Sequence, residues 1–253
     1  MVCVRAGHHR DSAGYCAVVF RPGAVAEPHT VLQAFGCAPI EGGTYVSMNI
    51  SLILGHPRPD SFCHAIAATA VTTLRTNGHV VAFHDLYAEG FHPLVTAEES
   101  RTRVSDDPLV EQHCADLTRA EGLIVVHPNW WGYPPAILKG WIDRVIRPGV
   151  AYELAVEASG ARTLHVGRLH VRTAVVFNTS DTSLDQEQAR FGDTLGSLWQ
   201  AYIAPLSGIP DLQRHVFSIM ATSTPAIRAA WLEDVRTTVQ RAFPATPLVQ
   251  NTV

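Results

Sequence analysis

Apolar positions along the chain come in two textures. Five short runs, Asn49–Leu54, Val80–Phe83, Leu123–Val126, Arg172–Phe177 and His215–Met220, carry little polar alternation. Such runs suit strands buried on both faces, the usual situation inside a parallel sheet. Between them the apolar residues recur at helical spacing. Phe62, Ile66, Ala70 and Leu74 form one stripe, with Asp60 or Ser61 available as its cap and Asn77-Gly78 as its stop. Pro108 to Ala120 reads as a crossover helix. Leu138, Trp141, Ile142 and Val145 follow Pro134-Pro135, which open a helix that Pro148-Gly149 stop. Leu195 to Ile203 is also helical in pattern, and Thr224-Pro225 open a last helix carrying Ile227, Trp231, Val235 and Val239. This alternation of strand and helix predicts an α/β domain built on a parallel sheet.

The remainder is less regular. Residues 1 to 47 show no sustained period and are expected to be a poorly ordered extension, with the working domain occupying 48 to 253. The polar tract Thr96 to Pro108 reads as a mobile or helical linker, Pro205 to Pro210 as a turn, and Phe243 to Val253 as a frayed tail.

Candidate chemistry gathers at strand ends. The first run leads into Gly55-His56-Pro57-Arg58-Pro59-Asp60-Ser61-Phe62 and a capped helix. Free N–H groups and the helix dipole make such a junction an anion site, although a capped helix needs no ligand to explain it. The fingerprint GxGxxG is absent, which excludes the usual NAD-binding turn. The third run leads into His127-Pro128-Asn129-Trp130-Trp131-Gly132-Tyr133, with three aromatics in seven residues. Open α/β sheets bind ligands at this carboxyl edge, and two indoles suit a flat heteroaromatic ring. They equally suit a cap over the core.

The segment PNWWGYPPAILKGWIDRV, residues 128 to 145, resembles the flavin-binding segment of the flavodoxin-like NAD(P)H:quinone oxidoreductases, the DT-diaphorase type and its bacterial relatives. The resemblance covers about residues 48 to 242. It implies a flavodoxin-like, doubly wound sheet of five parallel strands in the order 2-1-3-4-5. It places Pro128, Asn129, Trp130, Trp131 and Gly132 along the isoalloxazine ring. His56, Ser61, Phe62 and Cys63 match the loop that holds the flavin's phosphate or pyrophosphate, Cys63 standing where relatives often carry Asn. Asn178, Thr179 and Ser180 match a Thr-Thr-Gly-Gly loop at the pyrimidine edge, with Ser180 and Asp181 in place of the glycines. Asp181 is expected to point away, since a carboxylate there disfavours a reduced, anionic flavin. Asp85 and Tyr87 match residues of a DLY turn that hold the exit of the second strand.

The activity implied is transfer of hydride from NAD(P)H to flavin N5 and onward to a quinone or similar acceptor, with Trp131 and Tyr133 as walls of a shallow substrate face. FAD is the implied cofactor and FMN the alternative, with NAD(P)H as co-substrate. The family's catalytic tyrosine and histidine fall at Asp185 and Phe191, so no general acid or base is nominated and the flavin carries the chemistry. A homodimer with its active site at the interface is implied, and the segment from Val150 to Val171 matches a loop or hairpin near that interface. The alternative role is a flavin-binding ancillary subunit of a glutathione-gated potassium efflux system.

Composition narrows the setting. A net charge of −4 without Lys/Arg runs argues against a nucleic-acid partner. No apolar stretch approaches the roughly 20 residues that span a bilayer. The five cysteines form no CxxC pair, disulfide framework or zinc site, which points to a reducing cytoplasm. The thirteen histidines include no HExxH, and no metal is expected.

Overall fold

The computed structural model describes residues 45–156 and 163–247. The expected extension therefore lies outside the described residues except for its last three. In chain order the strands are β1 (Asn49–Leu54), β2 (Val80–Asp85), β3 (Gly122–Pro128), the antiparallel hairpin β4 (Tyr152–Val156) and β5 (Thr163–Gly167), β6 (Thr173–Ser180) and β7 (Asp211–Ser218). The main sheet is parallel throughout, in the order β2-β1-β3-β6-β7. With the hairpin set aside this is the expected 2-1-3-4-5 order, and the chain reverses direction across the sheet between β1 and β3.

Helices α1 (Phe62–Thr76), α2 (Ala97–Thr102), α3 (Pro108–Arg119), α4 (Ala136–Val145) and α5 (Leu184–Phe191) follow in order. After them α6 (Thr194–Gly196) runs through a π-helical stretch, Ser197–Ile203, into α7 (Ala204–Ser207), and α8 is Pro225–Ala242. Leu123 and Val125 of β3 pack with Leu117, Leu138, Trp141 and Trp199 on one face of the sheet. Ile124 and Val126 pack with Ile66, Leu74, Val235 and Val239 on the other. Burial on both faces is the reason the run shows no polar alternation.

Three expectations are corrected. The last strand begins at Asp211 rather than His215 and ends at Ser218, because an edge strand is only half-buried and its polar start hides it from an apolar pattern. The helix expected to end at Ile203 continues to Ser207. Pro205 has no N–H to give, and the wider π-helical turn just before it accommodates that loss. The tract from Thr96, expected to be mobile or helical, contains a short helix with a capping box between Thr96 and Glu99, and it clamps the loop onto Arg144.

The third correction concerns the tail. Phe243 is fully buried, and its carbonyl accepts from Asn77 Nδ2 at 2.8 Å and His79 Nε2 at 3.1 Å. Gly122 makes room for it, since a Cβ there would lie 2.5 Å from the phenyl ring. Beyond it Thr246–Pro247 pairs with Tyr45–Val46. One anchoring aromatic has no period and cannot be seen by one. Phe243→Ala is expected to cost about 3–5 kcal/mol of unfolding free energy in urea denaturation, the usual range for an emptied aromatic site.

Candidate functional site

The aromatic loop is a two-residue hairpin. Trp130 N donates to the Tyr133 carbonyl at 2.9 Å and Tyr133 N to the Trp130 carbonyl at 3.1 Å. The central residues Trp131 and Gly132 both have positive φ, 58° and 77°, the geometry of a type I′ turn. Gly132 relieves its share of the strain, whereas Trp131 carries a side chain in a conformation such residues avoid. Asn129 fastens the turn: its Oδ1 accepts from Gly132 N at 2.8 Å, and its own N–H reaches the Thr179 carbonyl at 2.7 Å. Thr194 Oγ1 donates to the Gly132 carbonyl from the other side. The indoles are not a core cap, since Trp130 is 42% and Trp131 100% exposed.

Beside this loop an open cleft of about 380 Å³ lies above the ends of β1, β3 and β6. His56, Ser61, Phe62 and Cys63 form one wall, Pro128, Asn129 and Trp130 another, and Thr179 and Ser180 the floor beyond them. Ser61 is the N-cap of α1, its Oγ accepting from His64 N. The first amides of α1 therefore open toward the cleft. Cys63 Sγ lies 3.5 Å from Thr179 Oγ1 and is buried, which pushes its thiol up to about 11 and away from redox or nucleophilic use. Burial likewise holds His56 below the ordinary histidine value, and its ring lies 6.3 Å from that of Trp130.

The structure leaves four of the sequence candidates outside these walls. Trp131, Gly132 and Tyr133 stand at the rim, with Tyr133 57% exposed. Asn178 is fully buried on the opposite face of β6, where Arg214 donates to its Oδ1 at 3.1 Å. Arg214 also pairs with Asp193, which caps Gly196. Conversely, Arg58, Asp60, Asp181 and Arg228 line the cleft without having been singled out as cofactor contacts. Arg228 sits in the first turns of α8, where only its arrival beside the β7 exit gives it meaning. Asp181 turns its Oδ1 to the Ala221 amide at 2.7 Å.

Beneath the aromatic loop, His127 is wholly enclosed. Its Nδ1–H donates to the Pro128 carbonyl at 2.9 Å and its Nε2 accepts from Trp199 Nε1 at 3.1 Å. Burial drives this imidazole down to about 4, so it serves as a neutral post between the loop root and the π-helical stretch. Asp185 and Phe191 lie exposed on α5. The residue of α5 that turns inward is Glu187, only 8% exposed and close to Gly132.

Among the described residues one cluster offers metal-type ligands: atoms of His84, Glu89 and His113 lie within 4.8 Å of one another. The indole of Trp141 donates to His113 Nδ1 at 2.9 Å, which commits the neutral ring's proton to Nε2 and thence to Glu89 at 3.1 Å. His84 Nδ1 reaches the other oxygen of Glu89 at 3.1 Å. These two imidazole hydrogen bonds outweigh desolvation and hold the Glu89 carboxyl down at about 2. The cluster is a proton-bridged brace between the β2 exit and α3, with no lone pair of His113 free for a cation.

A doubly wound parallel sheet with a hydroxyl-, guanidinium- and indole-lined cleft at its switch point is the arrangement in which open α/β sheets bind ligands. The chain belongs to the family described as having a flavodoxin-like fold, which matches residues 48–239. An uncharacterized NAD(P)H oxidoreductase of Haemophilus influenzae is 36% identical over 111 residues, 42% of this chain and 54% of that protein. The chain thus spans about half the length of the first curated relatives it matches. NAD(P)H dehydrogenase (quinone) 1 of Rattus norvegicus is 26% identical over 221 residues, 78% of each chain. The crystal structure of Smu.1420 from Streptococcus mutans UA159 superposes with a TM-score of 0.67 at 26% identity, covering 77% of this chain and all of that one.

Proposed function

We propose that the protein is a flavin-dependent NAD(P)H oxidoreductase that reduces a quinone or a similar small acceptor. The observation that carries this reading is the convergence of the Trp130 wall, the α1 N-terminus and the Thr179-Ser180 hydroxyls on one cleft. The names of the H. influenzae and rat relatives support it. The donor set fits the group: hydroxyls, helix amides and the guanidiniums of Arg58 and Arg228 suit phosphate, while Pro128, Trp130 and Met220 offer flat or apolar surface for a ring. When bound, a flavin supplies a carrier that takes two electrons from one partner and gives them to the next.

The chain's own residues bind and orient. Ser61 and the amides behind it seat the phosphate end. Trp130 fixes the plane of the ring, and Thr179 and Ser180 meet its polar edge. The likeness of the loop from His56 to Phe62 to that of the quinone reductases favours FAD, with FMN as the alternative. A second copy of the chain would cover the exposed Trp131 and Tyr133, and the outward residues Leu154, Val156 and Val166 of the hairpin give a homodimer apolar surface to bury. Among the described residues no helix is long and apolar enough to cross a membrane. The buried free thiols of Cys63 and Cys114 suit a reducing cytoplasm. The H. influenzae and rat relatives carry the names of an oxidoreductase and a dehydrogenase, and the ancillary-subunit alternative gains nothing from them.

The test is an absorbance spectrum of the purified protein, identification of the released cofactor, and anaerobic addition of NADPH and NADH. The expected result is a flavin band that bleaches. A flavin that neither nucleotide can reduce would turn the assignment toward regulation, and no flavin after reconstitution would end it.

A further inference from the structure

A hydrogen-bonded line of three side chains crosses the wall of the cleft. Ser61 Oγ lies 2.8 Å from His64 Nδ1, and His64 Nε2 lies 3.0 Å from Asp85 Oδ2. Asp85 Oδ1 meanwhile accepts the amides of Tyr87 at 3.1 Å and Ala88 at 3.2 Å. A carboxylate receiving three N–H donors is fixed as an acceptor, so His64 must carry a proton on Nε2. The state of Nδ1 then depends on whether the ring holds one proton or two.

With one proton, Nδ1 is a lone pair and takes the Ser61 hydroxyl proton. Ser61 Oγ also accepts from His64 N at 3.3 Å, so the oxygen faces the cleft with no proton to offer. An anionic oxygen arriving there meets a lone pair. With two protons, Nδ1–H donates to Ser61, and the serine hydroxyl is released to donate into the cleft. The imidazolium also adds positive charge behind the first turn of α1, which has no acidic residue of its own.

We propose that Ser61, His64 and Asp85 form a proton-coupled clasp, in which His64 takes up one proton from solvent as the phosphate of the cofactor is seated. The proposal rests on the reading of this cleft as a flavin site and makes His64 a positioning residue for the cofactor. Other groups near His64 do not substitute for it. From the loop, His56 stands edge-on at 6.1 Å, but its Nδ1 already accepts the Arg58 amide at 3.1 Å. Arg58 lies 3.2 Å from Asp60, and both are largely exposed. Across the cleft, Arg228 is permanently charged, and Asp181 is turned to the Ala221 amide. Histidine is the side chain suited to change charge between about pH 5 and 8.

The experiment is calorimetric titration of the cofactor-stripped protein with FAD and with riboflavin, from pH 6 to 8.5, in buffers of different ionisation heat. FAD is the probe because the terminal phosphate of FMN itself titrates near pH 6, at about the value of other phosphate monoesters. FAD affinity is expected to rise toward acid pH by up to about tenfold per pH unit, with close to one proton taken up per FAD at the alkaline end. Riboflavin, which has no phosphate, should bind with no such slope. His64→Gln should bind FAD with a flat profile. Ser61→Ala removes the hydroxyl and leaves the imidazolium's charge, so it should show a clearly shallower slope, and it decides the matter should His64→Gln fail to fold. A pH-independent FAD affinity in the wild type, or a slope that survives both substitutions unchanged, overturns the clasp while leaving the flavin reading intact. No binding of either flavin at any pH overturns both.

Discussion

Arg144→Met is expected to lower the unfolding free energy by about 3–5 kcal/mol, the cost of breaking a buried ion pair from one side. The guanidinium is 3% exposed and reaches Glu99 Oε1 at 2.7 Å, Asp107 Oδ2 at 3.2 Å and the His92 carbonyl. Methionine fills most of the same volume, so the loss comes from two carboxylates left without their cation. Desolvation by itself would raise the Glu99 carboxyl. Hydrogen bonds from Arg144, Ser105 and the Thr96 amide outweigh it and hold the group down at about 2. A carboxyl lowered on folding stabilises fully above its ordinary value near 4.5, and that contribution drains away as pH falls toward 2. The deficit of Arg144→Met should accordingly be greatest at neutral pH and shrink in acid. Urea denaturation of wild type and variant at pH 7 and pH 3 measures both points; an equal deficit at the two pH values would rule out the ion-pair explanation.

Trp131→Gly is expected to act in opposite directions on stability and on binding. The side chain is entirely exposed and its backbone sits at φ 58°, so glycine should relax the turn and raise the unfolding free energy by about 1 kcal/mol. If Trp131 closes over a bound flavin, the loss of one aromatic stacking partner should weaken flavin binding by about 5- to 150-fold, taking about 1–3 kcal/mol for a stacked heteroaromatic base. Flavin fluorescence titration and thermal denaturation of the same preparation read the two effects. A variant that is less stable, or one that binds flavin as tightly as wild type, would mean that the indole has a structural task instead.

Much of the fold was legible because its strands are buried on both faces and its helices are not. Unbroken runs such as Leu123–Val126 and stripes such as Phe62, Ile66, Ala70 and Leu74 carry that difference directly in the sequence. Elements that depend on a single anchor did not show. Phe243 holds the C-terminal segment by one ring and one carbonyl, and β7 conceals a polar first half at the sheet edge. The site divides in the same way. The α1 cap and the aromatic loop stood out by residue type, as did the hydroxyls at the end of β6. Asn178 did not follow them, because successive side chains of a strand point to opposite faces and Thr179 took the cleft side. Arg228 and His64 were ordinary helix residues until the fold brought the first to the cleft and placed the second between Ser61 and Asp85.

All seven positions of β3 are buried, and the strand carries the aromatic loop at its end. A change at any of them is felt by one helical layer or the other, so evolutionary drift has no free face on this strand to explore. Lineages diverging from this protein should accumulate change at exposed positions such as Tyr133, while the strand that aims the turn stays almost still. The same arrangement makes the exposed positions Trp131 and Tyr133 the natural place for laboratory libraries, on a support that tolerates little change of its own, while Gly132 stays fixed by its positive φ and by Thr194 beside it.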